Sequence, residues 1–274
     1  MRISICLIIS FFTFSASAAP RSYERVSRND AILTGALGVG AFLAYGYIPH
    51  SKGEWTEPLQ IDLEARRIFR GETLERRRMA DAWSDGTLSA AIAVPFLGDA
   101  LLLSGARDGD WETAAQTFNI GLQSMAITGI MTASIKALVG RERPYARGCR
   151  LETMDDPECS RLEEVETYRS FTSGHSAYAF TAAGLACFHH SELRLFGSSG
   201  DEVTCAMTLA FATATAALRM TADKHYLSDV AAGSAIGLLS GYAVPRLSRK
   251  SREGSATPAI VLRGPLLPVL VNTF

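Results

Sequence analysis

Apolar residues in this chain fall in long blocks rather than in alternation, and the blocks predict helices. The first covers 31–48 and ends before Pro49; others with helical spacing cover 87–104, 111–139, 176–190, 203–219 and 226–244. Strand-like alternation is scarce, so the expected fold class is all-α, a helical bundle. Between the first two blocks, residues 54–85 are rich in charge: Arg66, Arg67, Arg70, Arg76, Arg77 and Arg78 interleave with Glu64, Glu72 and Glu75. Acid and base three or four residues apart read as a solvated helix face, and the interleaved acids argue against a nucleic-acid surface. Residues 141–171 read as a long irregular loop, a length that usually carries function. From 248 the chain is polar and then apolar over 258–271, and is expected to lie as an extended arm over the core.

The ends and the cysteines change this picture. Arg2, a twelve-residue apolar stretch over 3–14 and Ala16-Ser17-Ala18 make a secretory signal pattern. The expected organisation is therefore a signal peptide at 1–18, a helical domain at 19–247 and a tail at 248–274; an uncleaved N-terminal anchor is the alternative. Cys149, Cys159, Cys187 and Cys205 then lie in an exported chain, where disulfides form. The expected bridges are 149–159 and 187–205, with buried thiols as the alternative for the second pair. No CxxC spacing points to zinc. With 274 residues, 47% of them hydrophobic and a net charge of -1, the chain can build one sizeable core and has no general attraction for nucleic acid.

The uncharged runs 114–135 and 203–218 raise the question of a membrane. They are rich in Ala, Gly, Ser and Thr, as in tightly packed buried helices. If the signal were cleaved and the first three blocks all spanned, the loop holding Cys149 and Cys159 would face the reducing side. The expectation is a periplasmic or otherwise exported domain, globular or membrane-associated.

Candidate chemistry sits in three short motifs: Lys136-x6-Arg143-Pro144, Ser173-Gly174-His175 and Arg219-x5-His225-x3-Asp229. Each would arise by accident in a few per cent of chains this long; all three in order is an accident of roughly one in 10⁵. Together they gather three cations, two histidines and a carboxylate, the inventory for holding a phosphate and breaking its ester. Lys136 and Arg143, seven residues apart, point the same way if the helix runs that far, with Pro144 ending it. Ser173 is a natural N-cap, and the free amides after it, Gly174 included, make an anion site with His175 in the first turn. His225 and Asp229 are four apart, so the carboxylate can take a hydrogen bond from one ring nitrogen and leave the other bare.

This constellation resembles the type 2 phosphatidic acid phosphatase superfamily, which shares its site with the vanadium haloperoxidases. The likeness runs from Lys136 to Asp229. Thr172 stands where the family has proline, and Leu218 where it has serine. The resemblance implies a helical bundle of that type and hydrolysis of a phosphomonoester or pyrophosphate without metal or other cofactor. His225 would be the nucleophile, forming a phosphohistidine, and Asp229 would orient it. His175 would be the general acid and then the base. Lys136, Arg143, Ser173, Gly174 and Arg219 would hold the phosphate oxygens. The implied partner is a phosphorylated lipid or small molecule, with membrane association and no nucleic acid. A non-catalytic phosphate- or lipid-binding protein of the same fold is the alternative, and a vanadate-dependent haloperoxidase a more distant one.

Overall fold

The structure, a computed structural model, describes residues 22–49, 51, 53, 55–151, 157–197 and 199–248. The expected signal peptide and nearly all of the expected tail lie outside the described residues. Every regular element of the described chain is helical. Helix α1 is Arg28–Tyr47, α2 Gln60–Phe69, α3 Leu74–Ala93, α4 Trp111–Val139, α5 Pro144–Leu151, α6 Gly174–Leu193, α7 Ser199–Thr221 and α8 Leu227–Ser248. Helix α3 continues without a break as wider π-type turns over Val94–Arg107, opening where Pro95 has no amide to give. Local chemistry starts and stops these helices. Ser27 and Asp30 form a reciprocal capping box on α1, and Thr73, Asp110 and Ser173 cap α3, α4 and α6. Gly140 ends α4 in the left-handed region at φ 54°, where a side chain would also strike the Ser51 carbonyl at 2.7 Å.

Three expectations need correction. The charge-rich stretch 54–85 is not a uniformly solvated face. It contains α2 and the first turns of α3, and Asp62 and Arg77 within it are buried. Its charges are consumed by partners far along the chain, such as Arg66 with Asp223 and Asp62 with Arg141. Likewise 141–171 is not a plain loop, since it holds α5 and two short 3₁₀ turns, Pro157–Arg161 and Val165–Tyr168. Pro144 opens α5 rather than ending α4, as suits its fixed φ and missing amide at a first helical position. Lys136 and Arg143 therefore sit on either side of a helix break. The cysteines pair as expected, Cys149 with Cys159 and Cys187 with Cys205.

Helix α6 is the axis of the bundle, and its alanines at 179, 182, 183 and 186 are fully enclosed. Gly233, Gly237 and Gly241 repeat every fourth residue along α8 and let its backbone lie directly on α6. An added Cβ would fall 2.4 Å from the Ser173 carbonyl, 2.2 Å from that of Ala177 and 2.3 Å from that of Thr181. Across other helix pairs the contacts are hydroxyl to hydroxyl, Thr128 with Thr181 and Thr87 with Thr215, both at 2.8 Å. Gly237→Ala is expected to cost about 2 kcal/mol net. The overpacking meets backbone that no rotamer change can relieve, and it outweighs the gain of about 1 kcal/mol in helix propensity. Denaturation of the purified variant checks this, and an unchanged midpoint would contradict the close helix crossing.

Alanines make up most of the buried apolar positions, and many large apolar side chains face out: Ile32 is 59% exposed, Phe42 67% and Leu102 58%. Among the described residues, five helices, Arg28–Tyr47, Leu74–Arg107, Trp111–Val139, Ser199–Thr221 and Leu227–Ser248, are long and apolar enough to cross a bilayer. This inverted distribution is that of a membrane-associated bundle, and it favours that half of the expectation over a globular soluble domain. The Ala, Gly, Ser and Thr content of the runs describes only the faces turned inward.

Candidate active site

The antiparallel helices bring the three motifs to one end of the bundle. Lys136 lies in the last turn of α4, Arg219 near the end of α7, His175 at the start of α6 and Asp229 at the start of α8. The glycine contact of α8 on α6 fixes the last two relative to each other, and the Ser173 amide donates to the Asp229 carbonyl at 3.0 Å. Gly174 faces Lys136, whose Cε would lie 3.9 Å from a methyl group placed there. Arg143, His175 and Arg219 line a common cleft of about 360 Å³, with Tyr145 and Lys224 on its walls.

His225 is 3% exposed at the back of this group, in the turn between α7 and α8. Its Nδ1 lies 2.8 Å from the Ser170 carbonyl oxygen. A carbonyl can only accept, so Nδ1 carries the proton and Nε2 keeps its lone pair. Nε2 is 3.5 Å from an Arg143 guanidinium nitrogen. Burial, then the charges of Arg143, Lys136 and Arg219, hold the imidazole well below its ordinary range. It is thus neutral at neutral pH, the state a nucleophile needs. The unfolded chain takes up this proton near pH 6.5 while the folded chain does not. The folded state therefore loses stability as pH falls below about 6.5 and is unaffected by this group above it.

Asp229 does not accept directly from the ring as the i, i+4 spacing suggested. Its Oδ2 stands 3.8 Å from Nδ1 and instead accepts from the Ser170 hydroxyl at 2.6 Å and the Tyr226 amide at 2.8 Å. The carboxylate thus orients the segment that in turn orients His225.

Four residues outside the three-motif reading join the site. Asp85 of α3 meets His175 Nε2 at 2.7 Å, and Asp81, one turn earlier, pairs with Arg219. Ser84 accepts from the same Arg219 nitrogen at 3.0 Å, which places a hydroxyl beside the arginine that Leu218 cannot supply. Arg141, inside the spacer of the first motif, is 1% exposed and reaches Asp229 at 2.5 Å and Asp62 at 2.6 Å. The one signal in the sequence was Asp81-x2-Ser84-Asp85, three polar groups on one helical face. Arg219 Nε is buried with no hydrogen-bond partner among the described residues. Lys136 Nζ meanwhile donates to the Arg169 carbonyl at 2.8 Å.

His189 and His190 are buried at the far end of α6. His190 is held between Asp99 at 3.1 Å and Asp201 at 2.6 Å. His50 lies outside the described residues.

Arg143 contributes the largest of the charges that depress His225. Arg143→Gln is expected to move the acid limb of kcat/KM to higher pH, because that limb reports the free enzyme's groups. A pH–rate profile in which kcat/KM falls but the limb stays in place would contradict this account of the ring's environment.

The chain is 29% identical over 131 residues to "Lipid phosphate phosphatase 2" of Arabidopsis thaliana, which covers 43% of the chain and 45% of that protein. It is 30% identical over 141 residues to "Probable diacylglycerol pyrophosphate phosphatase 1" of Schizosaccharomyces pombe, covering 46% and 50%. The chain spans about half the length of the curated relatives it matches. Among solved structures, Aquifex aeolicus LpxE aligns over 69% of the chain and 96% of its own, with a TM-score of 0.44 and 19% identity. Residues 119–253, which hold all three motifs, match the model of the PAP2 superfamily, and the chain belongs to that superfamily.

Proposed function

We propose that this protein is a membrane-bound, exported phosphatase that removes a terminal phosphate from a lipid phosphomonoester or pyrophosphate through a phosphohistidine on His225. The observation that carries this reading is the imidazole whose proton is committed to the Ser170 carbonyl, with its bare Nε2 turned toward Arg143. Nε2 attacks phosphorus; the N–P bond forms as the bond to the leaving oxygen breaks. His175 gives that oxygen its proton. Water then attacks the phosphohistidine, giving its proton to His175, and inorganic phosphate leaves. Arg143, Arg219 and Lys136, with the amides at the start of α6, meet the charge on the equatorial oxygens, where a phosphoryl transition state needs preorganised positive charge. Asp85 holds His175 toward the cleft in both steps.

Two further observations support the finer points. The outward apolar surface and the named activities of the two relatives favour a lipid substrate over a soluble ester. The Cys149–Cys159 bridge, close in sequence to the cleft residues Tyr145, Glu158 and Arg161, suits an oxidising compartment. Purified protein in detergent, with chelator present, is expected to release phosphate from a long-chain phosphatidate at least about tenfold more efficiently than from an aryl phosphate, since buried acyl carbons add binding energy. Vanadate is expected to inhibit by imitating the five-coordinate phosphorus. Absence of turnover on every monoester and pyrophosphate tried would end the enzymatic reading. Activity lost in chelator and restored by a divalent metal would end the metal-free step.

A further inference from the structure

We propose that the cleft between α2 and α5 is a second anion site, which binds the phosphodiester headgroup of an anionic phospholipid beside the catalytic mouth. The cleft encloses about 390 Å³ and is lined by four guanidinium groups, Arg66, Arg67, Arg70 and Arg147, against one carboxylate, Glu72. Two of the four form its floor. Arg66 and Arg70 both hold the buried carboxylate of Asp223, at 2.7 and 3.2 Å, and so keep a fixed geometry. The other two stand at the rim. Arg67 and Arg147 pair with Glu64 and Glu57, whose side chains are exposed, and such pairs bind weakly enough to share the arginine with an incoming anion. A guanidinium fork matches two oxygens of a phosphate group.

The helix that carries this cleft indicates where the anion comes from. Leu63, Arg66, Arg67 and Arg70 follow the i, i+3, i+4, i+7 pattern and share one face of α2. Ile61 and Ile68, seven apart, share another and are 58% and 75% exposed. A short helix with arginines on one side and bare aliphatic residues on the other suits the interface of a membrane, where acyl chains and headgroups are both within reach. Tyr45 and Tyr47 are exposed at the end of α1, beside the same end of the bundle, as amphipathic rings are at a headgroup layer. The cleft also adjoins the catalytic turn. Asp223 lies two residues before His225, and the Gly71 amide donates to the Thr221 carbonyl at 2.9 Å.

This site rests on the membrane-bound reading above but not on catalysis, so a binding assay tests it separately. The full chain, purified in a neutral detergent, is titrated with phosphatidylglycerol or with phosphatidylcholine, and retained lipid is counted by native mass spectrometry. Neither lipid is a phosphomonoester. Preferential retention of phosphatidylglycerol is expected, and Arg67→Gln with Arg147→Gln should weaken it by about thirtyfold, as for two arginines at an anionic surface. Arg78→Gln, an exposed change on α3 outside the cleft, should leave it unaltered. Turnover of a soluble aryl phosphate should be unchanged in the double variant, which separates loss of this site from loss of the phosphatase. Equal retention of the two lipids would overturn the proposal. So would an equal fall in Arg78→Gln, which would mean diffuse surface charge. Displacement of the lipid by millimolar inorganic phosphate would mean a soluble-anion site and overturn it as well.

Discussion

Replacing His225 with alanine is expected to abolish turnover and any covalent phosphate, whereas replacing His175 is expected to trap the covalent phosphate. Both variants lose activity on lipid substrates, but for different reasons. Without His225 the bare Nε2 that faces Arg143 is gone, and the groups around it do not replace it. Ser170 keeps its carbonyl, Lys136 donates to Arg169, and the arginines carry no nucleophile. Without His175 the nucleophile remains, and only proton delivery fails, which is worth roughly 10²–10⁴ in rate for a poor leaving group. An aryl phosphate with an acidic phenol needs little help in the first step, so His175→Ala should still form the phosphoenzyme and then hold it, lacking a base for water. Acid-labile, base-stable label from a radioactive aryl phosphate reports this directly. Label in His225→Ala would reassign the nucleophile. Fast release of label in His175→Ala would remove that residue from the hydrolytic step.

Asp85→Asn refines the same argument. Asp85 touches His175 and not the expected position of the phosphate, so its loss should act on the proton-transfer steps only. An effect that shrinks as the leaving group improves is the expected pattern.

The motifs were legible in the sequence because they sit where helices begin and end, and such places have chemical markers: an N-cap serine, a glycine after a last turn, a proline at a first. Their supporting residues were not. Asp62, Asp81 and Asp85 belong to a stretch whose acids and bases alternate, and a sequence cannot distinguish a solvated charge from one that meets a partner far along the chain. Arg66 and Asp223 show this, 157 positions apart in the chain. The orienting bond on His225 escaped for another reason. It goes to a backbone carbonyl, and every residue has one. The i, i+4 spacing placed Asp229 on the correct face, but the acceptor nearer to the ring was Ser170. The outward apolar surface was not legible because composition averages the two sides of a helix, here an alanine-rich inner side and an outer side with many large residues.

The second large effect is expected at Arg141, which touches no substrate position. Its guanidinium lies 3.9 Å from the Trp55 ring and 4.5 Å from that of Tyr226, and it bridges two carboxylates that are themselves wholly buried, Asp62 and Asp229. The bridge holds α2 against the start of α8. It is also coupled to the nucleophile, because the Ser170 amide donates to the Arg141 carbonyl at 3.0 Å while the Ser170 hydroxyl donates to Asp229. Arg141→Met would keep much of the packing and leave two carboxylates buried without a cation. Removing one partner of such a group costs about 3–5 kcal/mol. Denaturation should show a loss of that size, partly restored in Arg141→Met/Asp62→Asn, where one of the two stranded charges is gone. Kinetics on the stabilised double variant then separate position from stability. If Arg141 acts by placing Asp229 and Ser170 behind His225, kcat stays depressed with KM little changed even after the fold is recovered. Full recovery of kcat with stability would make Arg141 a structural residue alone, and a single variant as stable as the parent would remove the buried bridge from the account.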